Sequence, residues 1–155
     1  GHQNTPYQLQ DAPHPAAVRR GGVLWLAHGL DRLYYRHGAR VHRQLFTNAV
    51  ALLHTKPMLE VDLPSAGRVS LLHQPDARRY VAHLLYAPPL QRGRCLVIED
   101  LVPLRDVPVR VRLPVETRQV ELVPSGLTLD FREKQGEVRV TVPEFTCHTA
   151  LVFSY

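Results

Sequence analysis

Two hydrophobic periods divide the chain near Pro57. From about Leu59 onward, apolar and polar positions alternate. In VPVRVRL, Val107, Val109, Val111 and Leu113 share one face, with Arg110 and Arg112 on the other. GEVRVTV repeats the arrangement, setting Val138, Val140 and Val142 against Arg139 and Thr141. A period of two predicts strands with one buried face. Further strands are expected over 68–73, 79–86, 96–99, 119–123, 127–132 and 147–153. The turn signals PSAG, QPDARR, PPLQRG, PSG and EKQG separate them. About eight short strands at this spacing predict an antiparallel β-sandwich.

Before Pro57 the pattern differs. Residues 1–20 contain Pro6, Pro13 and Pro15 and read as an extended entry. Val23 to Ala27 form a continuous apolar run bounded by Gly21-Gly22 and Gly29. Such a run predicts a strand buried on both faces, as in a parallel sheet flanked by helices. Asp31 is placed to cap a short helix running to Arg36, with Gly38 as its left-handed stop. In ARVHRQLFTNAVALLH, Val41, Leu45, Phe46, Ala49, Val50, Leu52 and Leu53 recur at helical spacing. Pro57 ends that helix. The class predicted is α+β: mainly an antiparallel β-sandwich, preceded by a short strand–helix unit. A lone strand with one or two helices cannot cover its own apolar faces. Residues 1–57 therefore read as the last β–α portion of an α/β domain, or as a unit that packs on the sandwich.

Composition adds bounds. The chain has 155 residues and is 45% hydrophobic, as expected of a folded domain rather than a disordered one. No apolar run approaches the roughly 20 residues of a membrane span, and the N-terminus lacks a signal-peptide pattern. A soluble chain without a membrane partner is expected, with the cytoplasm favoured, although the compartment itself is not written in the residues. The chain begins at Gly1 and its sole methionine is Met58, which reads as an excised piece of something longer. Cys95 and Cys147 lie in strand-like runs, where buried free thiols are expected. They could pair only if their strands are neighbours.

The net charge of +5 resides before residue 59, where seven Arg and Lys face only Asp11 and Asp31. The remainder carries twelve charges of each sign. Arg32, Arg36, Arg40 and Arg43 recur at nearly helical spacing around Tyr34 and Tyr35, the strongest feature for nucleic acid. Gly38 interrupts the series, and the remainder carries no nucleic-acid signature. An intersubunit or solvated face fits better.

Candidate chemistry is sparse. The nine histidines include His28, His37 and His42, but none fits a zinc-binding pattern, so no metal or other cofactor is expected. His28 lies at the end of the apolar strand, where ligands of parallel sheets bind, and is a candidate polar or interface residue with the four arginines. His83 and His148 alternate with apolar neighbours and are expected to be buried, hydrogen-bonded side chains. Glu99 and Asp100 are adjacent, so in a strand they point to opposite faces and cannot flank one glycosidic bond. A salt bridge to an arginine suits them better. Tyr80, Tyr86, Phe131, Phe145, Phe153 and Tyr155 are scattered through alternating runs. Core or edge packing accounts for them, with a glycan platform as the alternative. No catalytic residue is identified.

The segments AAVRRGGVLWLAHGLDRLYYRHGARVHRQLFTNAVALL (16–53), RRYVAHLLYAPP (78–89), VIEDLVPLRDVPVRVRLP (97–114) and VTVPEFTCHTALVFSY (140–155) carry a resemblance. Their order resembles the C-terminal region of bacterial glycoside-hydrolase-like proteins, similar to family forty-two β-galactosidases. There a flavodoxin-like trimerisation domain, akin to glutamine amidotransferases, precedes a β-sandwich. The resemblance implies a division into 1–57, ending the flavodoxin-like domain, and 58–155, the sandwich. It also implies a non-catalytic accessory role in domain packing and oligomerisation. The partners would be the rest of the parent chain or its homo-oligomer, with carbohydrate as the alternative. Nucleic acid is not an expected partner: a random DNA duplex should show no mobility shift with this chain even at low salt, where phosphate contacts are strongest.

Overall fold

The computed structural model describes residues 13–155. The earlier part of the expected N-terminal loop lies outside the described residues. The chain divides into two compact units, Gly1–Lys56 and Pro57–Tyr155.

In the first unit, β1 (Ala17–Arg20) and β2 (Val23–Leu26) form an antiparallel hairpin with Val18 opposite Trp25. This corrects two expectations. Residues 17–20 are a strand rather than loop, and residues 23–26 are not a parallel strand buried on both faces. The reason is the glycine pair. Gly21 adopts φ +57°, so Gly21-Gly22 is itself the tight turn, and a hairpin closes where parallel pairing would need a long crossover. Leu24 and Leu26 are half-buried, whereas Val23 and Trp25 are 67% and 57% exposed.

Helix α1 (Leu30–His37) follows, with Leu30 as its buried residue. Its N-cap is Gly29, without a side-chain cap, so Asp31 does not cap as expected. Asp31 sits instead in the first turn, where a negative charge suits the helix dipole. At the other end Gly38 takes the left-handed conformation and donates its N–H to the Tyr34 carbonyl at 2.8 Å. Helix α2 (Arg40–Leu53) has the expected extent, but Ala49 is its one buried residue. Val41, Leu45, Phe46, Val50, Leu52 and Leu53 remain exposed. A hairpin and one short helix are too small a surface to cover that stripe.

The second unit is sandwich-like. β3 (Leu59–Val61), β4 (Arg68–Gln74) and β5 (Arg79–Tyr86) lead to a small separate hairpin of β6 (Leu90–Arg92) and β7 (Cys95–Val97). Then come β8 (Leu104–Arg112), β9 (Gln119–Val123), β10 (Leu127–Thr128), β11 (Phe131–Lys134), β12 (Glu137–Phe145) and β13 (Cys147–Ser154). One antiparallel sheet has five strands in the order β10-β9-β13-β5-β4, and the other has four in the order β11-β12-β8-β3. They share one core. Leu84, Val120, Leu151 and Phe153 come from the first sheet, and Val109, Val111, Val138 and Val142 from the second. All eight are fully buried.

The single strand expected over 127–132 is two strands. β10 pairs with β9 in the first sheet, and β11 pairs with β12 in the second. Leu129 is buried between them and donates its N–H to Val120 at 2.9 Å, so the chain crosses from one sheet to the other at the core. β6 occupies residues expected to be a turn. Its Leu90, Gln91 and Arg92 pair with Val97, Leu96 and Cys95.

The shared core makes one residue diagnostic. Leu151 is central in β13 and fully buried. Leu151→Ala should lower unfolding free energy by about 2–5 kcal/mol in denaturant titration. Leu72→Ala, at a position about half exposed in edge strand β4, should cost far less.

Candidate functional site

The turn out of β2 and the first face of α1 make an open depression in the first unit. Ala27, His28, Gly29, Arg32, Leu33, Arg36 and His37 line it, with a volume of about 390 Å³. Arg32 and Arg36 are one helical turn apart, so both side chains fall on the face that His28 adjoins. Two guanidiniums and two imidazoles line the depression without a carboxylate, so it suits a polar or anionic group. Arg40 and Arg43 belong to α2 and do not line it. The candidate set is therefore divided: His28, Arg32 and Arg36 are brought together, His37 joins them, and the two later arginines stand apart. His28 does not stand at a parallel-sheet ligand crevice, because β2 belongs to an antiparallel hairpin.

The outer faces of the two large sheets differ in chemistry. Across the four-stranded sheet runs an Arg–Glu ladder. Glu60 contacts Arg110 and Arg112 at 2.7 Å each, and Glu137 contacts Arg112 and Arg139 at 2.7 Å each. Arg139 donates to Glu137, and this bond is the main cause that holds the Glu137 carboxyl below its ordinary range. Burial opposes this bond, and the charges of Arg139, Arg112 and Arg110 add smaller contributions that lower it further.

The outer face of the five-stranded sheet carries an apolar patch among polar residues. Leu72, Val81, Val152 and Glu121 lie in one row across β4, β5, β13 and β9, and Ser70, His83, Ala150 and Val123 in the next. His83 and His148 meet here. His83 Nδ1 lies 3.1 Å from His148 Nε2, with the ring centroids 5.3 Å apart and the planes 17° apart, so the rings meet edge to edge. Hydrogen bonding was expected of both, but burial was not realised: His83 is half-buried and His148 exposed. Alternation could place each histidine on its strand. Their juxtaposition depends on the β5–β13 register, which the residues alone do not reveal. At the end of the same sheet, His73 stacks on Tyr80 at 4.1 Å and bonds the Tyr155 hydroxyl at 3.0 Å. That tie fastens the last residue to β4 and β5. It uses the aromatic faces internally, as does the core packing of Tyr86, Phe131, Phe145 and Phe153.

Arg92 bonds Glu99 at 2.9 Å and lies 3.8 Å from Asp100. Both carboxylates thus attend one arginine beside the β6–β7 hairpin. The cysteines are free, with Cys95 exposed rather than buried and Cys147 half-buried. They lie on β7 and β13, which belong to different sheets. Among the described residues, no three His, Cys, Asp or Glu side chains gather as a metal cluster. No helix among them is long and apolar enough to cross a membrane.

No protein-family model matches the chain. No curated protein matches it either. Among solved structures, the chain is similar to alpha-L-fucosidase isoenzyme 2 from Paenibacillus thiaminolyticus, at 30% identity and a TM-score of 0.87. The match covers 98% of this chain, both units included, and 25% of that chain.

The ladder sets a pH dependence. A carboxylate held below its ordinary range contributes stability that is present above that range. The contribution is lost as pH falls through the lowered value. Glu137→Gln should therefore destabilise the chain at neutral pH and flatten its loss of stability on acidification. Denaturant titrations across that acid range, on parent and variant, measure both effects.

Proposed function

We propose that this chain is a non-catalytic accessory region of a glycoside hydrolase. In this reading residues 1–57 finish a flavodoxin-like, trimerisation-type domain. Residues 58–155 are the β-sandwich that follows it, on the plan of family forty-two β-galactosidases. The observation that carries the reading is the match of nearly the whole chain to one quarter of an alpha-L-fucosidase. The work of the region is domain packing and oligomerisation.

Three features support it. Val23, Trp25 and the apolar stripe of α2 are exposed, as suits an end piece whose covering strands belong to the same domain. Glu99 and Asp100 are engaged by Arg92, at 2.9 and 3.8 Å, as suits a structural role. The aromatics of the sandwich serve its core and the anchoring of Tyr155, which leaves no stacked platform for a sugar ring among them.

The test has two arms. The isolated chain should not hydrolyse aryl α-L-fucosides or aryl β-galactosides, and glycan titration should show no saturable binding. Turnover that disappears with Glu99→Gln would overturn the non-catalytic role, and saturable binding would move the reading to a carbohydrate-binding module. In the intact polypeptide, Trp25→Asp should lower thermal stability or subunit association and leave KM for the aryl glycoside unchanged. Equal stability and assembly of variant and parent would remove the packing role.

A further inference from the structure

We propose that His83 and His148 form a bidentate site for a divalent transition-metal ion, with Cu2+ the preferred occupant. The inference rests on the juxtaposition of two imidazoles across the central strands of the five-stranded sheet. It stands independently of the accessory role proposed above.

The geometry is set by the ladder. His83 pairs with Ala150 and His148 with Leu85, so the two histidines are diagonal neighbours on one face of β5 and β13. Both strands have a neighbour on each side, which fixes their register. The facing nitrogens are 3.1 Å apart, and each has the other as its hydrogen-bond partner. An ion held at the usual 2.0–2.1 Å from both would subtend an angle of about 95–102°. That lies between square and tetrahedral coordination. The nitrogens are 3.1 Å apart and the centroids 5.3 Å apart, so the rings meet nearly edge to edge. Each must turn before its lone pair points at a shared ion, and the outer torsion of a histidine is a soft coordinate.

The surroundings favour a chelate as well. Val81 and Ala150 beside the pair are only 7% and 5% exposed, and Ser70 on β4 stands directly across from His83. The site has no arginine or lysine in the His83–Ala150 row. Arg68 lies at the edge of the next row, across Leu85 from His148. His148 is exposed, so an ion can enter from solvent. Two imidazoles without a gathered carboxylate or thiolate suit borderline metals rather than Ca2+ or Mg2+, which take oxygen ligands. Among divalent first-row ions, the general affinity order places Cu2+ highest for such a site. The remaining coordination positions face water. Protons compete with a metal ion for imidazole nitrogens, so affinity falls as pH falls.

The test uses the whole chain in a His2→Gln background, so that His2 adds no copper ligand, stripped with a chelator and titrated with CuSO4. The result expected is one tight equivalent per chain by calorimetry, lost in both His83→Gln and His148→Gln and kept in His54→Gln. Far-UV circular dichroism and denaturation in metal-free buffer check that the variants fold. Retention of the tight equivalent in both variants, equal loss in His54→Gln, or no tight binding by the parent chain would overturn the site. A second measurement needs no variant. Substoichiometric Cu2+ should broaden the NMR resonances of β5 and β13 around His83 and His148 first. Broadening centred on other histidines would overturn the proposal.

Discussion

The alternation of side chains across β8, β12, β5 and β13 governs the rest of the second unit. Val109, Val111, Val138 and Val142 on one sheet close against Leu84, Leu151 and Phe153 on the other. Because the period is two, committing these residues to the core also commits their neighbours to the outside. A slip of one residue in β12 would bury Arg139 and Thr141 and expose three valines. The register is therefore held by the free energy of the core, and everything on the outer faces is placed by that choice.

The two outer faces answer this placement differently. On the four-stranded sheet the outward positions carry Glu60, Arg110, Arg112, Glu137 and Arg139, whose charges meet across strands. Arg110, Arg112 and Arg139 each find a carboxylate, Arg132 adds a further exposed charge opposite Arg139, and the face can stand in water as it is. On the five-stranded sheet the outward positions mix Leu72, Val81, Leu85, Val123, Ala150 and Val152 with Arg68, Ser70, Glu121 and the two histidines. The bond between His83 and His148 follows from the same registry that aligns the core.

Much of this was visible in the residues and some was not. The strands at 79–86 and 119–123 have the extents that alternation and turn residues indicate, since both signals agree there. Helix α2 was likewise plain from its spacing and from Pro57. What failed was information of longer range. Gly21-Gly22 reads equally well as the boundary of a buried strand and as a hairpin turn, and only the pairing of Val18 with Trp25 decides between them. Leu127 to Arg132 is apolar enough for one strand, yet Leu129 enters the core and sends the chain to the other sheet. His83 and His148 are 65 residues apart, and nothing local to either announces the other. Helical spacing groups Arg32, Arg36, Arg40 and Arg43; Arg32 and Arg36 share a surface with His28, whereas Arg40 and Arg43 share only the period, since Gly38 redirects the chain between them.

The first unit poses a different physical problem from the second. Its elements form with good local reasons: a glycine turn, a left-handed Gly38 stop and an amphipathic α2. Its core, however, amounts to little more than Leu30 and Ala49. Apolar burial stabilises by roughly 25 cal/mol per Å² removed from water, so side chains left exposed contribute nothing of that kind. Trp25, Phe46, Leu45, Leu52 and Leu53 are in this position. Polar residues at those places would cost an isolated unit nothing in core stability. Their apolar character thus argues for a covering surface that matches a strand face on one side and a helix face on the other. A flavodoxin-like domain has both, since its sheet is flanked by helices on each face. On the reading proposed here, the first unit is the part of such a domain that is stable in company. The sandwich carries a complete core of its own, and the outer face of its five-stranded sheet is left to whatever meets the two histidines.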